Sequence, residues 1–287
     1  MKLVSFDDYR IGVVTERGVV DVTSVVPEVP RSLKPMRMLV LIEEWDTLRP
    51  QVEKLAASGK GVPIDSVRLL APVPAPRKVY AAPANYASHS AEMQNSQWGG
   101  QHHSGDYGMF LKAASSVSGP SDTVLLPYGP NRVNHHESEL VAVIGKGGAD
   151  IPVGEALGRV FGYTCGLDIT VRGAEDRSKR KSFDTFSPTG PWIVTADEVP
   201  DPAALEIKLW VNEELRQHCF TKDMITDTPN LISNMSWVTK MAPGDLLFTG
   251  TPDGVGPIVD GDLVTIKISS VGELSVRVAD RPVIGSR

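Results

Sequence analysis

The chain has 287 residues, 41% of them hydrophobic and 22% charged, with a formal net charge of −6. These are ordinary globular values on a length that can bury a large core, and an acidic balance without a basic block argues against nucleic acid, whose affinity rests on Lys and Arg neutralising phosphates. No apolar run approaches the roughly 20 residues of a membrane helix. The opening MKLVSFDDYRIG reaches acidic and polar residues too early for a signal peptide. With only two cysteines, Cys165 and Cys219, there is no disulfide framework, and a cytoplasmic location is expected.

In chain order, residues 2 to about 25 read as short strands. KLVSF, RIGVV and VVDVT are rich in β-branched residues, and ERG between the last two reads as a hairpin turn. Residues 31 to 60 carry Leu and Met at mixed helical spacings. LLAPVPAPRKVYAAP is too proline-rich to be one regular element. It places a boundary near residue 70, between a small N-terminal domain, residues 1–70, and a main domain, residues 71–287. Short helices are expected at about 85–93, 152–158 and 229–240, the first with Asn85 able to cap it. QNSQWGGQHHSGDYG, residues 94–108, reads as a long loop of the functional or mobile kind. The remaining runs, SELVAVIG, PWIVTADEV, LEIKLWVN, DLLFTGT, DLVTIKIS and ELSVRV, are strands. They do not alternate regularly with helices, so a doubly wound parallel sheet is not expected; the fold class is α+β, β-dominated.

The segment HHESELVAVIG puts Glu137 and Glu139 directly before a continuous apolar run. Alternate residues of a strand share a face, so the two carboxylates stand roughly 6–7 Å apart on one side. They repel unless a cation lies between them, as a hard divalent ion would, or unless the pair is a solvated strand edge. Asp168, in YTCGLDIT, ends a buried-looking run and is either a turn residue or a third oxygen ligand. In NYASHSAEM, His89 and Glu92 are helical neighbours at i,i+3. Such a pair is either a surface contact or a general base whose tautomer the carboxylate holds. RSKRKSFDTFSPTGPW is cationic, and its Lys and Arg either meet a substrate carboxylate or line a solvated loop. PGDLLFTGTPDGVG lacks the ending of a phosphate loop. The His pairs at 102–103 and 135–136 have no Cys/His spacing that frames a zinc site.

Taken in order, NYxxHxxE, FLKAASSVSGP, HHESEL, GYTCGLD, KSFDTFSPTGPW, VNEELRQ and PGDLLFTGTPDGVG resemble the fumarylacetoacetate hydrolase family over about residues 70–280. The resemblance implies a mixed β-sheet roll, generally dimeric, with residues 1–70 as the small extra domain of longer members. It implies that Glu137, Glu139 and Asp168 bind Mg²⁺ or Mn²⁺ and that His89 and Glu92 form the catalytic dyad. It also implies that Lys181 is the active-site lysine and that Thr251 meets substrate. The chain departs from the family pattern in having Ala84 where a glycine often precedes NY, Glu213 in place of a turn glycine, and Glu175 where a glutamine is common.

The resemblance further implies an enzyme that binds a small 2-oxo or diketo acid and cleaves a C–C bond of a 1,3-diketo acid. Decarboxylation or isomerisation of a 2-oxo acid is the alternative within the family. A non-catalytic binder of an acidic metabolite is the alternative of another class. Retention of all three acids and of the dyad argues against that last reading.

Overall fold

A computed structural model of the chain describes residues 1–94, 108–127, 129 and 132–282. Most of the long loop expected at 94–108, with His102 and His103, lies outside the described residues. The fold is β-dominated α+β, as the sequence implies. A large mixed sheet runs in spatial order through the strands 61–62, 18–21, 10–15, 2–6, 187–195, 160–167, 138–144, 246–248, 79–81 and 110–112. A five-stranded sheet, in the order 214–220, 206–211, 263–268, 272–280 and 123–126, packs on it, and the strands 170–172, 133–136 and 256–258 form a three-stranded ribbon.

Ser138–Ile144 is buried along its whole length, which explains why its sequence does not alternate. Leu140, Ala142 and Ile144 join one core with Ile207, Leu209, Val264 and Ile266 of the second sheet. Val141 and Val143 face the other way and share a core with Met38, Leu41, Ile42 and Val52 of the N-terminal helices Arg37–Glu43 and Trp45–Ser58. Each fully buried Val, Leu or Ile contributes about 1.5–3 kcal/mol relative to leaving it exposed. The first strand pairs antiparallel with Ser187–Thr195, Lys2 opposite Val194, so the N-terminal strands continue the main sheet.

The expected helices form as Ala87–Gln94, Val153–Ala156 with a following 3₁₀ turn Leu157–Arg159, and Thr228–Val238. A further short helix, Arg177–Arg180, lies in the cationic segment. Asn85 lies just before the first of these helices. Its side chain donates to the carbonyls of Thr226 and Thr249 at 2.8 and 2.7 Å and accepts from the Thr226 amide. The two departures at turns have a structural reading. Ala84 sits in the left-handed region at φ 46°, where glycine has no Cβ penalty. At the hairpin 211–214 it is Asn212, at φ 57°, that takes the left-handed conformation, so Glu213 is tolerated.

Candidate metal and substrate site

The three acids meet because two neighbouring antiparallel strands end together. Glu137 lies in the break between the strands Val133–His136 and Ser138–Ile144, and Glu139 is two residues further on. Asp168 follows directly on Val160–Leu167, the partner strand, where Ser138 is opposite Leu167 and Glu139 opposite Gly166. The Asp168 amide donates to the Glu137 carbonyl at 2.9 Å and fixes the corner. Carboxylate oxygens of all three lie within 4.8 Å of one another, and all three residues are buried. The solvated-edge alternative for Glu137 and Glu139 is thereby removed.

Their compensation is uneven. Lys181 Nζ bridges Glu137 Oε2 and Asp168 Oδ2 at 2.6 Å each. Lys112 Nζ donates to Asp168 Oδ1 at 2.5 Å and to the Phe186 carbonyl at 2.8 Å. Arg172 lies 3.1 Å from Glu137 Oε1, and Thr170 donates to the same oxygen. Burial pushes the Glu137 carboxyl up, but Lys181 and Arg172 more than reverse this and hold it well below the usual carboxylate range. Glu139 has no ion-pair partner among the described residues; the Gly250 amide donates to its Oε2 at 2.6 Å. Burial, with the charges of Asp168 and Glu137, pushes its carboxyl well up. Three buried oxygen donors, one of them lacking a counter-charge and another pair drawn onto an ammonium, fit a hard divalent cation such as Mg²⁺ or Mn²⁺. Glu137, Glu139 and Asp168 are the residues that would hold it.

His89 is 6% exposed, and its Nδ1 is 3.1 Å from Glu92 Oε2. The surface-pair alternative does not fit that burial. The Gly254 amide donates to Glu92 Oε1 at 3.1 Å. The turn after strand Leu246–Phe248 therefore grips both an acid of the triad, through Gly250, and the acid of the dyad, through Gly254. Gly250 is at φ 100°, and a Cβ there would meet Asn85 Cβ at 2.5 Å, so the turn requires glycine. Thr251 is buried in this turn and accepts from Gln217 Nε2 at 2.9 Å.

Sequence reasoning picked out all seven candidate residues and missed four neighbours. Lys112 was present only inside a quoted motif, and Arg172 lies just before the quoted cationic segment. Gln217 ends the quoted VNEELRQ run. His136 was considered only for zinc. It is fully buried, and burial pushes its imidazole down to about 4. His135 is likewise pushed down to about 4, first by burial and then by Arg172, whose Nε donates to its Nδ1 at 3.0 Å. Glu175 faces Lys179 at 3.9 Å and is not among the residues that pair with the acid triad.

A β-dominated fold with a buried three-carboxylate cluster and an adjoining His–Glu pair is the arrangement of a metal-dependent enzyme. Residues 78–279 match the model of the fumarylacetoacetate (FAA) hydrolase C-terminal domain. The chain belongs to the fumarylacetoacetate hydrolase family. It is similar to maleylpyruvate hydrolase of Aquipseudomonas alcaligenes, with 38% identity over 285 residues, covering 97% of this chain and 99% of that protein. The crystal structure of maleylpyruvate hydrolase from Sphingobium sp. SYK-6 in complex with manganese(II) ion and pyruvate superposes with a TM-score of 0.88 at 42% identity, covering 98% of this chain and 100% of that one. Mitochondrial oxaloacetate tautomerase of Rattus norvegicus is 35% identical over 268 residues, covering 89% of this chain and 82% of that protein.

Proposed function

We propose that this chain is a divalent-metal-dependent hydrolase that cleaves a C–C bond in a 1,3-diketo acid of the acylpyruvate type. The observation that carries the proposal is the buried Glu137–Glu139–Asp168 cluster tied through one turn to the His89–Glu92 pair. Near-full-length similarity to two maleylpyruvate hydrolases, one solved with manganese and pyruvate, supports it.

Glu137, Glu139 and Asp168 would hold a divalent cation, which would supply Lewis acidity toward a 2-oxo carboxylate. Glu92 holds His89 through Nδ1, which leaves Nε2 to accept a proton from water. The hydroxide adds to the carbonyl remote from the 2-oxo acid. The C–C bond then breaks, its electron pair moves onto the pyruvyl fragment, and a proton returned there yields pyruvate and a second carboxylic acid. Lys181, which pairs with the acids, and Thr251, in the turn, donate to the developing oxyanions in this reading. Residues 1–70 act as a small domain carried on this catalytic domain. The protein works in the cytoplasm as a homodimer, with the exposed Trp237 and Val238 supplying apolar contact surface.

The similarity to oxaloacetate tautomerase supports a second reading, in which the same site enolises or decarboxylates a 2-oxo acid without a hydrolytic water. His89→Ala separates the two. It lowers acylpyruvate hydrolysis by about 10²–10⁴-fold while metal binding persists; undiminished hydrolysis removes the general-base role.

A further inference from the structure

His135 is joined to the acid cluster through one side chain, that of Arg172. It lies on Val133–His136, the middle strand of the three-stranded ribbon, opposite Thr170 on one side and Pro257 on the other. Its backbone is therefore paired on both sides, and its ring is half-buried. Its Nδ1 accepts from Arg172 Nε at 3.0 Å. A guanidinium donates and never accepts, so Nδ1 carries no proton in this contact and the ring proton sits on Nε2.

The same guanidinium meets Glu137. Arg172 Nη2 lies 3.1 Å from Glu137 Oε1, and Thr170 Oγ1 donates to that oxygen at 3.2 Å. Thr170 and Arg172 are alternate residues of the short strand that pairs with the His135 strand, and so share a face. The other oxygen, Glu137 Oε2, is taken by Lys181.

A guanidinium is planar and rigid. Holding its Nε as well as Nη2 fixes the plane of the group and not only the place of its charge. Arg172 is 6% exposed, so an Nε–H that lost His135 would have little access to water in exchange. The guanidinium would then be free to turn away from Glu137 Oε1. Groups behind a ligating carboxylate set its orientation, and losing one costs about 10–100-fold in metal affinity.

We propose that His135 is a positioning residue for the metal site: it holds Arg172 by its Nε, and Arg172 holds Glu137 Oε1, so that Glu137 is presented to a divalent cation. The inference rests on the reading of Glu137 as a metal ligand, and not on which reaction follows.

The test is calorimetric titration of the metal-stripped, full-length protein with Mn²⁺, with thermal unfolding of each metal-free variant alongside. His135→Leu removes the acceptor and keeps similar bulk. His135→Gln sets its acceptor one bond further out. His135→Asn sets its Oδ1 two bonds from Cβ, as Nδ1 is. The expected result is Mn²⁺ binding weakened about tenfold or more in His135→Leu and His135→Gln, and within about threefold of wild type in His135→Asn. Arg172→Met removes the link, so adding His135→Leu to it weakens binding by less than about twofold further. Affinity within about threefold of wild type, or tighter binding, in a folded His135→Leu or His135→Gln overturns the proposal. So does an equal loss in His135→Asn, or the full further loss in the Arg172→Met background. A lowered melting temperature with unchanged affinity marks a merely structural role and overturns it too. Wild-type protein that binds no Mn²⁺ removes the metal reading of Glu137 and this inference with it, whereas Mn²⁺ binding indifferent to His135 removes the inference alone.

Discussion

Gln217 is the buried link between the acid cluster and the Thr251 turn, and Gln217→Leu tests how much that link matters. Its Oε1 accepts from the Ser138 amide at 2.9 Å, between two of the candidate metal ligands. Its Nε2 donates to Thr251 Oγ1 at 2.9 Å and to the carbonyls of Pro252 and Asp253 at 3.0 and 3.3 Å. Leucine fills a similar volume but strands the Ser138 N–H and leaves the turn oxygens without their donor. One stranded buried donor costs about 1–3 kcal/mol and each lost neutral hydrogen bond about 1 kcal/mol net, for a total of roughly 2–4 kcal/mol. For a chain of this size that lowers the melting temperature by roughly 5–10 °C. The loosened turn also carries Gly250 and Gly254, so kcat/KM for an acylpyruvate falls by about tenfold or more. Gln217→Glu does no better. It keeps the Ser138 bond but points a carboxylate oxygen at two carbonyls and a hydroxyl. Thermal unfolding by circular dichroism with steady-state kinetics reads both effects. A melting temperature within about 1 °C of wild type, with unchanged kcat/KM, would refute the reasoning.

Ala84→Gly relieves the left-handed conformation at φ 46° and stabilises the protein by about 0.5–1 kcal/mol in chemical denaturation; destabilisation would contradict the strain assigned there. Cys165 and Cys219 are both buried, and burial pushes the Cys219 thiol up to about 12 and Cys165 higher still. Neither reacts with a thiol reagent at pH 8 until denaturant is added, and stoichiometric labelling of the native protein would contradict their placement. Light scattering gives a mass about twice the 31.0 kDa of one chain; a monomer at micromolar concentration removes the homodimer.

How much of this was legible in the sequence follows from what local pattern can carry. Strand alternation put Glu137 and Glu139 on one side, and helical spacing put Glu92 beside His89, because both relations span three residues or fewer. Position at the end of an apolar run marked Asp168. What pattern could not supply was pairing across long separations. Lys112 reaches Asp168 over 56 residues and Lys181 reaches Glu137 over 44. A lysine in FLKAASS looks like a solvated side chain until the strand Phe110–Lys112 is known to add to the sheet edge. Asn85 read as a helix cap because Asn commonly is one, and local pattern could not show its partners Thr226 and Thr249, which lie 141 and 164 residues away. Ala84 shows the converse. A missing glycine was visible as a departure, but only the backbone angle shows that the departure carries strain.

The most direct test of the account strips the protein with chelator, restores Mn²⁺ or Mg²⁺, and follows loss of an acylpyruvate's enol absorbance in wild type and Glu139→Gln. The account predicts no cleavage without metal, restoration of pyruvate and acid release with either ion, and loss of at least about 10²-fold in the variant, with metal affinity lowered in parallel. Full turnover in chelator, or wild-type metal-dependent turnover by Glu139→Gln, would contradict it.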